Sequence, residues 1–237
     1  MQNSKNDLHQ RFKNSGTPLV TLTLFNFSAW QKVWAFTQMG IGRAFLRNIP
    51  GLKFWKMLGT GKGFGFSLKP DFGRYGFLGV WNTEMEADDF LANSSFMKQY
   101  AQHAEQITTA KLIPLKAKGA WSGQNPFTPL FQPPEDEHRI AVLTRASIRM
   151  HSLRRFWQHV PSTSDELEQA GGLRYSIGLG EAPFKLQATF SIWESEQAMK
   201  DFAYNSTTHK SVIHKTRSEG WYAEDLFARF LVLEDFI

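Results

Sequence analysis

The stretch FAYNSTTHKSVIH, residues 202–214, carries two histidines on a segment whose periodicity predicts a helix from about 194 to 218. At 3.6 residues per turn, Met199, Phe202, Ser206, His209 and Ile213 fall along one stripe. His209 therefore shares a face with apolar neighbours, and His214 lies toward the stripe's edge. A buried imidazole costs on the order of a few kcal/mol unless its nitrogens find partners. A hydrogen bond to a backbone carbonyl or to Ser206 would satisfy it; so would a metal. A lone neutral imidazole held by a helix among apolar and aromatic side chains suits the proximal ligand of a haem iron. No second histidine or carboxylate stands at a spacing that would complete a zinc or non-haem iron site. The expected cofactor is haem b on His209, with Phe202, Ser206 and Ile213 against the group. Arg145, Arg149 and Arg174 lie on predicted strands of the same half of the chain. Arg149 is a candidate for the propionates, and Arg145 and Arg174 are catalytic candidates toward a distal oxygen ligand.

Other constellations carry less. The run GTGKGFG at 59–65 fits no phosphate-binding fingerprint and precedes a strand, so it is expected to be a hairpin tip and a flexible loop beside a site. DELE at 165–168 is a solvated helix face, and His103, His138, His151 and His159 stand without partners at useful spacing. The chain has no cysteine, which excludes thiolate catalysis, iron–sulfur clusters and thiolate-ligated haem. The net charge of +5 is spread among acids and forms no nucleic-acid arm. No signal-peptide core or membrane-length apolar run is present, so a cytoplasmic location is expected.

The elements that must position His209 come from an internal repeat. Trp81 and Trp193 each close an apolar run, and sliding one copy onto the other pairs Glu84 with Glu196, Phe90 with Phe202, Asn93 with Asn205 and Ser94 with Ser206. The position matching His209 is Met97, as expected if one half acquired a site on a shared scaffold. Each copy predicts strand, helix, strand, strand, helix, strand, the ferredoxin-like βαββαβ unit with both helices on one face of an antiparallel sheet. The expected fold is α+β: two tandem ferredoxin-like repeats, 18–122 and 139–237, packed as an α/β barrel within one chain. A polar tail, 1–17, precedes them and a Pro-rich linker, 123–138, joins them.

At FWKMLGTGKGFGF, AVLTRASIR, GLGEAPFKLQATFSIW, FAYNSTTH and EGWYAEDLFARF the chain resembles the spheroidene monooxygenase family of bacterial carotenoid ketolases, over roughly residues 20–233. The resemblance implies a dimeric α/β barrel fold and a haem-dependent monooxygenase that hydroxylates an acyclic carotenoid and then forms a keto group, with electrons from a donor such as ferredoxin. It also implies a W…F…S..H pattern, matched by Trp193, Phe202, Ser206 and His209, and, because some haem-binding relatives place the histidine about a turn further on, His214 as the alternative ligand. Trp55, Phe64, Phe66 and Trp157 are then expected as barrel-interior aromatics that hold the polyene. The aromatic and basic surface around Phe54 to Lys69 is expected to touch the inner membrane peripherally. A haem-binding or haem-degrading protein of the same barrel superfamily, and a non-enzymatic carrier of apolar ligands, are the alternatives.

Overall fold

A computed structural model describes residues 9–13, 15–63, 69–133, 138–182, 184–205, 215–216 and 218–236. Eight strands form a closed antiparallel barrel: β1 Leu19–Asn26, β2 Leu52–Gly61, β3 Pro70–Trp81, β4 Gln106–Gly119, β5 Ile140–Ile148, β6 Leu173–Ala182, β7 Leu186–Trp193 and β8 Tyr222–Glu234. The helices are α1 Lys32–Ile41, α2 Glu84–Asn93, α3 Ser95–Ala101, α4 Leu153–Glu168 and α5 Glu196–Asn205. Strand order is β4-β1-β3-β2 in the first copy and β6-β7-β5-β8 in the second. Each is the sheet of a ferredoxin-like unit, as the repeat predicts. The barrel closes through β2–β6 and β4–β8.

Alternation along the strands splits the apolar residues into an inside and an outside set. Inward-facing Val20, Leu22, Leu78, Val80, Leu143, Phe190, Ile192 and Phe230 come from both copies and fill the barrel. Outward-facing Phe25, Phe77 and Trp81 pack under the first copy's helices, against Phe90, Phe96 and Tyr100. Trp121 and Phe127, where the linker begins, are buried in the barrel interior; Phe127 meets Phe230 edge to face at 5.0 Å.

The two repeat tryptophans keep their indole N–H satisfied by different means. Trp81 Nε1 donates to Thr21 Oγ1 at 2.9 Å, and a Cβ on Gly79 would stand 2.7 Å from that nitrogen. Pairing register equates Thr21 with Val142 and Gly79 with Ser191. In the second copy Trp193 Nε1 accordingly donates to Ser191 Oγ at 2.9 Å, so the lost hydroxyl is replaced from the neighbouring strand.

The first copy's second helical region, expected as one long helix, is two. Ser94 is extended (ψ 148°) and its hydroxyl accepts from Met97 N at 3.1 Å, ending α2 and capping α3. A serine offers a competing side-chain bond to the backbone, which the apolar periodicity does not register.

Candidate functional site on the second sheet

Strand register permits a residue-by-residue comparison of the two outer, helix-facing layers. Trp81 and Trp193 occupy equivalent ends, so Trp55 and Met57 of β2 correspond to Ser176 and Gly178 of β6. Tyr75 and Phe77 of β3 correspond to Gln187 and Thr189 of β7, and Phe25 of β1 corresponds to Ala146 of β5. Five bulky side chains under one pair of helices are small or polar under the other. Thr144 is exposed, whereas its counterpart Thr23 is fully buried; Ala146, Ser176 and Gln187 of the same layer are buried. Ser176 Oγ is buried without a hydrogen-bond partner among the described residues.

The ends of this hollow are better filled. Trp193 and Phe202 meet at one end with ring centroids 5.3 Å apart, while Phe156, Ile148 and Trp221 cluster at the other. Arg229 of β8 pairs with Glu196 at the start of α5, and Lys200 Nζ lies 2.9 Å from the same carboxylate. Lys200, followed by Arg229, holds Glu196 below the usual carboxylate range despite its partial burial. These contacts fix α5 over the edge of the sheet.

His209, Ser206, Ile213 and the alternative ligand His214 lie outside the described residues, as do Phe64 and Phe66. Of the expected neighbours, Phe202 lies at the hollow. Arg174 is on the surface with Glu194 Oε1 at 3.4 Å, and Arg149 is exposed, donating from Nε to Tyr222 O at 3.1 Å. Arg145 differs from expectation: it shares the inward parity of Ala141 and Leu143 and so points away from the helices. Trp55 and Trp157 also lie outside the barrel interior, Trp55 in the first copy's outer layer and Trp157 on α4. Trp157 instead donates to Phe184 O at 3.2 Å, holding that residue at a φ of 65°.

Sequence reasoning missed the group that Arg145 joins. Lys56 Nζ lies 2.6 Å from Glu181 Oε2 and 2.7 Å from Ser122 Oγ. Trp121 Nε1 donates to Glu181 Oε1 at 2.6 Å, and Arg145 bonds Glu224 and approaches Glu181 at 3.6 Å. Glu224 also accepts the backbone N–H groups of Ser122 (3.0 Å) and Gly123 (2.7 Å), which successive left-handed residues aim at it. Burial raises the Glu224 carboxyl, but Gly123, Ser122 and Arg145 outweigh it and leave it below the usual range. Two cations and two anions thus close one barrel end in balance. The inward parity of Lys56 with Phe54 and Leu58 was the available signal. Among the described residues no cluster of three or more His, Asp or Glu could hold a metal ion.

Comparison with known proteins places this geometry in a family. Spheroidene monooxygenase of Rhodobacter capsulatus is 38% identical over 219 residues, covering 91% of this chain and 90% of that protein. The chain belongs to the spheroidene monooxygenase family. Spheroidene monooxygenase of Rubrivivax gelatinosus is 34% identical, covering 92% of this chain and 84% of that protein. No family model matches the chain. A crystal structure of aldoxime dehydratase, 12% identical, superposes with a TM-score of 0.56 over 92% of this chain and 82% of its own, a likeness of fold. In this spheroidene monooxygenase family member the asymmetry between the copies is therefore built on a shared barrel: bulky aromatic side chains fill one outer layer, and smaller or polar ones stand at the matching positions of the other.

Proposed function

We propose that the chain is a carotenoid monooxygenase that introduces a keto group into an acyclic carotenoid, with haem b held on the helix-facing side of the second sheet. The relatives' names supply the substrate class, and the hollow layer is the observation that supports the cofactor. Large-to-small exchanges in a packed layer cost about 2–5 kcal/mol each when the space stays empty. Thr144 is exposed and Thr189 partly so, which leaves part of that layer uncovered. The open floor is consistent with space kept for a large, flat apolar group, and the unpartnered Ser176 hydroxyl with a polar edge on it.

The copy register supports His209 as the iron ligand. Its counterpart Met97 is buried and its N–H is capped by Ser94, the counterpart of Ser206. Haem bound there supplies reductive activation of O2. The chain's own residues hold α5 in place through Arg229–Glu196 and Trp193–Phe202, and expose a floor of Val142, Thr144 and Thr189. One round of reaction inserts an oxygen atom into a C–H bond of a methylene and reduces the other atom to water with two electrons and two protons. A second round at the same carbon gives a geminal diol, which loses water to leave the ketone. The electrons come from a one-electron donor of the ferredoxin type.

The test is the absorption spectrum of purified protein. A Soret band that is lost in His209→Ala and retained in His214→Ala is expected, with carotenoid turnover leaving the band intact. A protein that stays colourless with added haemin refutes the cofactor. Haem loss during turnover, with the carotenoid unchanged, would mark the porphyrin itself as substrate.

A further inference from the structure

From residue 8 to residue 70 the chain contains nine Lys or Arg and no Asp or Glu. This stretch includes α1, with short 3-10 turns at Ala29–Gln31 and Gly42–Leu46 on either side. Its inner face is anchored: Ala35, Gln38 and Leu46 are buried, and Trp34 stacks on His103 at 3.8 Å. Its outer face carries Trp30, Val33, Phe36, Ile41 and Phe45, spaced at one helical stripe, with Trp30 92% exposed and Val33 75%. Such a contiguous apolar stripe on a soluble surface marks a contact.

Lys32, Arg43, Arg47 and Lys62 are exposed around it, and none forms an ion pair among the described residues. The stripe continues into Phe72, whose ring meets Phe36 at 6.1 Å. Phe36, Phe72 and Phe184 then edge a cleft of about 220 Å3 between β2 and β6. Phe54 and Lys56, expected in the sequence to face a membrane, instead point into the barrel, so the exposed apolar surface sits on α1.

We propose that the outer face of α1, with Phe72 beside it, is a peripheral docking surface for an anionic lipid bilayer. An apolar stripe flanked by cations, with Asp71 beside Phe72 as the acid at its edge and none on α1 itself, is the composition of an interfacial helix. A cationic protein partner would be matched by acidic groups on the face, and α1 carries none. The apolar cleft opens at the edge of this face, where a chain leaving the lipid would enter. Only that last use rests on the carotenoid reading; docking itself needs neither haem nor turnover.

Co-sedimentation of the full chain with phosphatidylglycerol–phosphatidylcholine vesicles tests it. Binding is expected to weaken in phosphatidylcholine alone and at high salt. The double substitution Val33→Glu, Ile41→Glu is expected to lower the partition coefficient about tenfold or more, with an unchanged circular dichroism melt. Quenching of tryptophan by brominated lipid should drop in Trp30→Phe. Wild-type protein that stays in the supernatant, or a double variant that sediments like wild type, overturns the proposal. A concentration-dependent dimer abolished by the double substitution, without vesicle binding, would assign the face to a second copy instead.

Discussion

At the scale of single residues, parity decides role. Arg145 and Ala146 are neighbours, yet one sits in an ionic cluster inside the barrel and the other packs in the helix-facing layer against Phe156 and Trp221. Glu224 gives the cluster a pH signature. Its carboxyl is held below the ordinary range in the folded chain, so its contribution is present above the unfolded value and lost as pH falls through the folded one. Glu84 adds to the same slope: burial raises it, but His9, Lys111 and Lys13 bring it below the usual range. The thermal midpoint should therefore fall steeply below about pH 4. Glu224→Gln should flatten that fall and cost about 1–2 kcal/mol at neutral pH, reduced from a fully buried pair's loss by the carboxylate's solvent contact. Equal slopes for variant and wild type in pH-dependent melts would exclude this role.

At the scale of elements, the two outer layers are the same construction with different fillings. Phe25 and Phe77 pack against Phe96 and Tyr100, whereas at the equivalent positions Ala146 packs in the cluster with Phe156 and Trp221 and Thr189 stays partly exposed. Restoring the bulk should convert the second layer toward the first. The substitution Thr189→Phe, at the position of Phe77, is expected to raise the melting temperature of haem-free protein by about 2–4 °C, the shift of roughly 1 kcal/mol in a chain of this size. It should also abolish the Soret band. A stabilised variant that still binds haem would locate the cofactor elsewhere. The helices themselves were legible from apolar periodicity; the break at Ser94 was not, because a capping hydroxyl overrides the stripe locally.

At the scale of the whole molecule, the barrel is closed by two unequal joints. β4 and β8 pair through eight residue pairs, but β2 and β6 pair through two, Gly59 with Gly180 and Thr60 with Leu179. Side chains reinforce the short joint, since Lys56 reaches Glu181 across it. Hydrogen exchange at the amides of Thr60 and Gly180 should be about tenfold or more faster than at Ile113 and Phe230. Uniform protection around the barrel would refute a weak joint there. The duplication, the order of strands and helices and the exchange of Met97 for His209 were determined by the sequence alone, because repeats and periodicities are local patterns. Tertiary structure decided which face of each strand looks inward, where the barrel joins and which layer is hollow. Those depend on strands pairing across long separations, and on bulges such as that between Leu52 and Phe54 that reset the alternation. No local pattern brings Lys56 to Glu181, 125 residues away; closure of the barrel does.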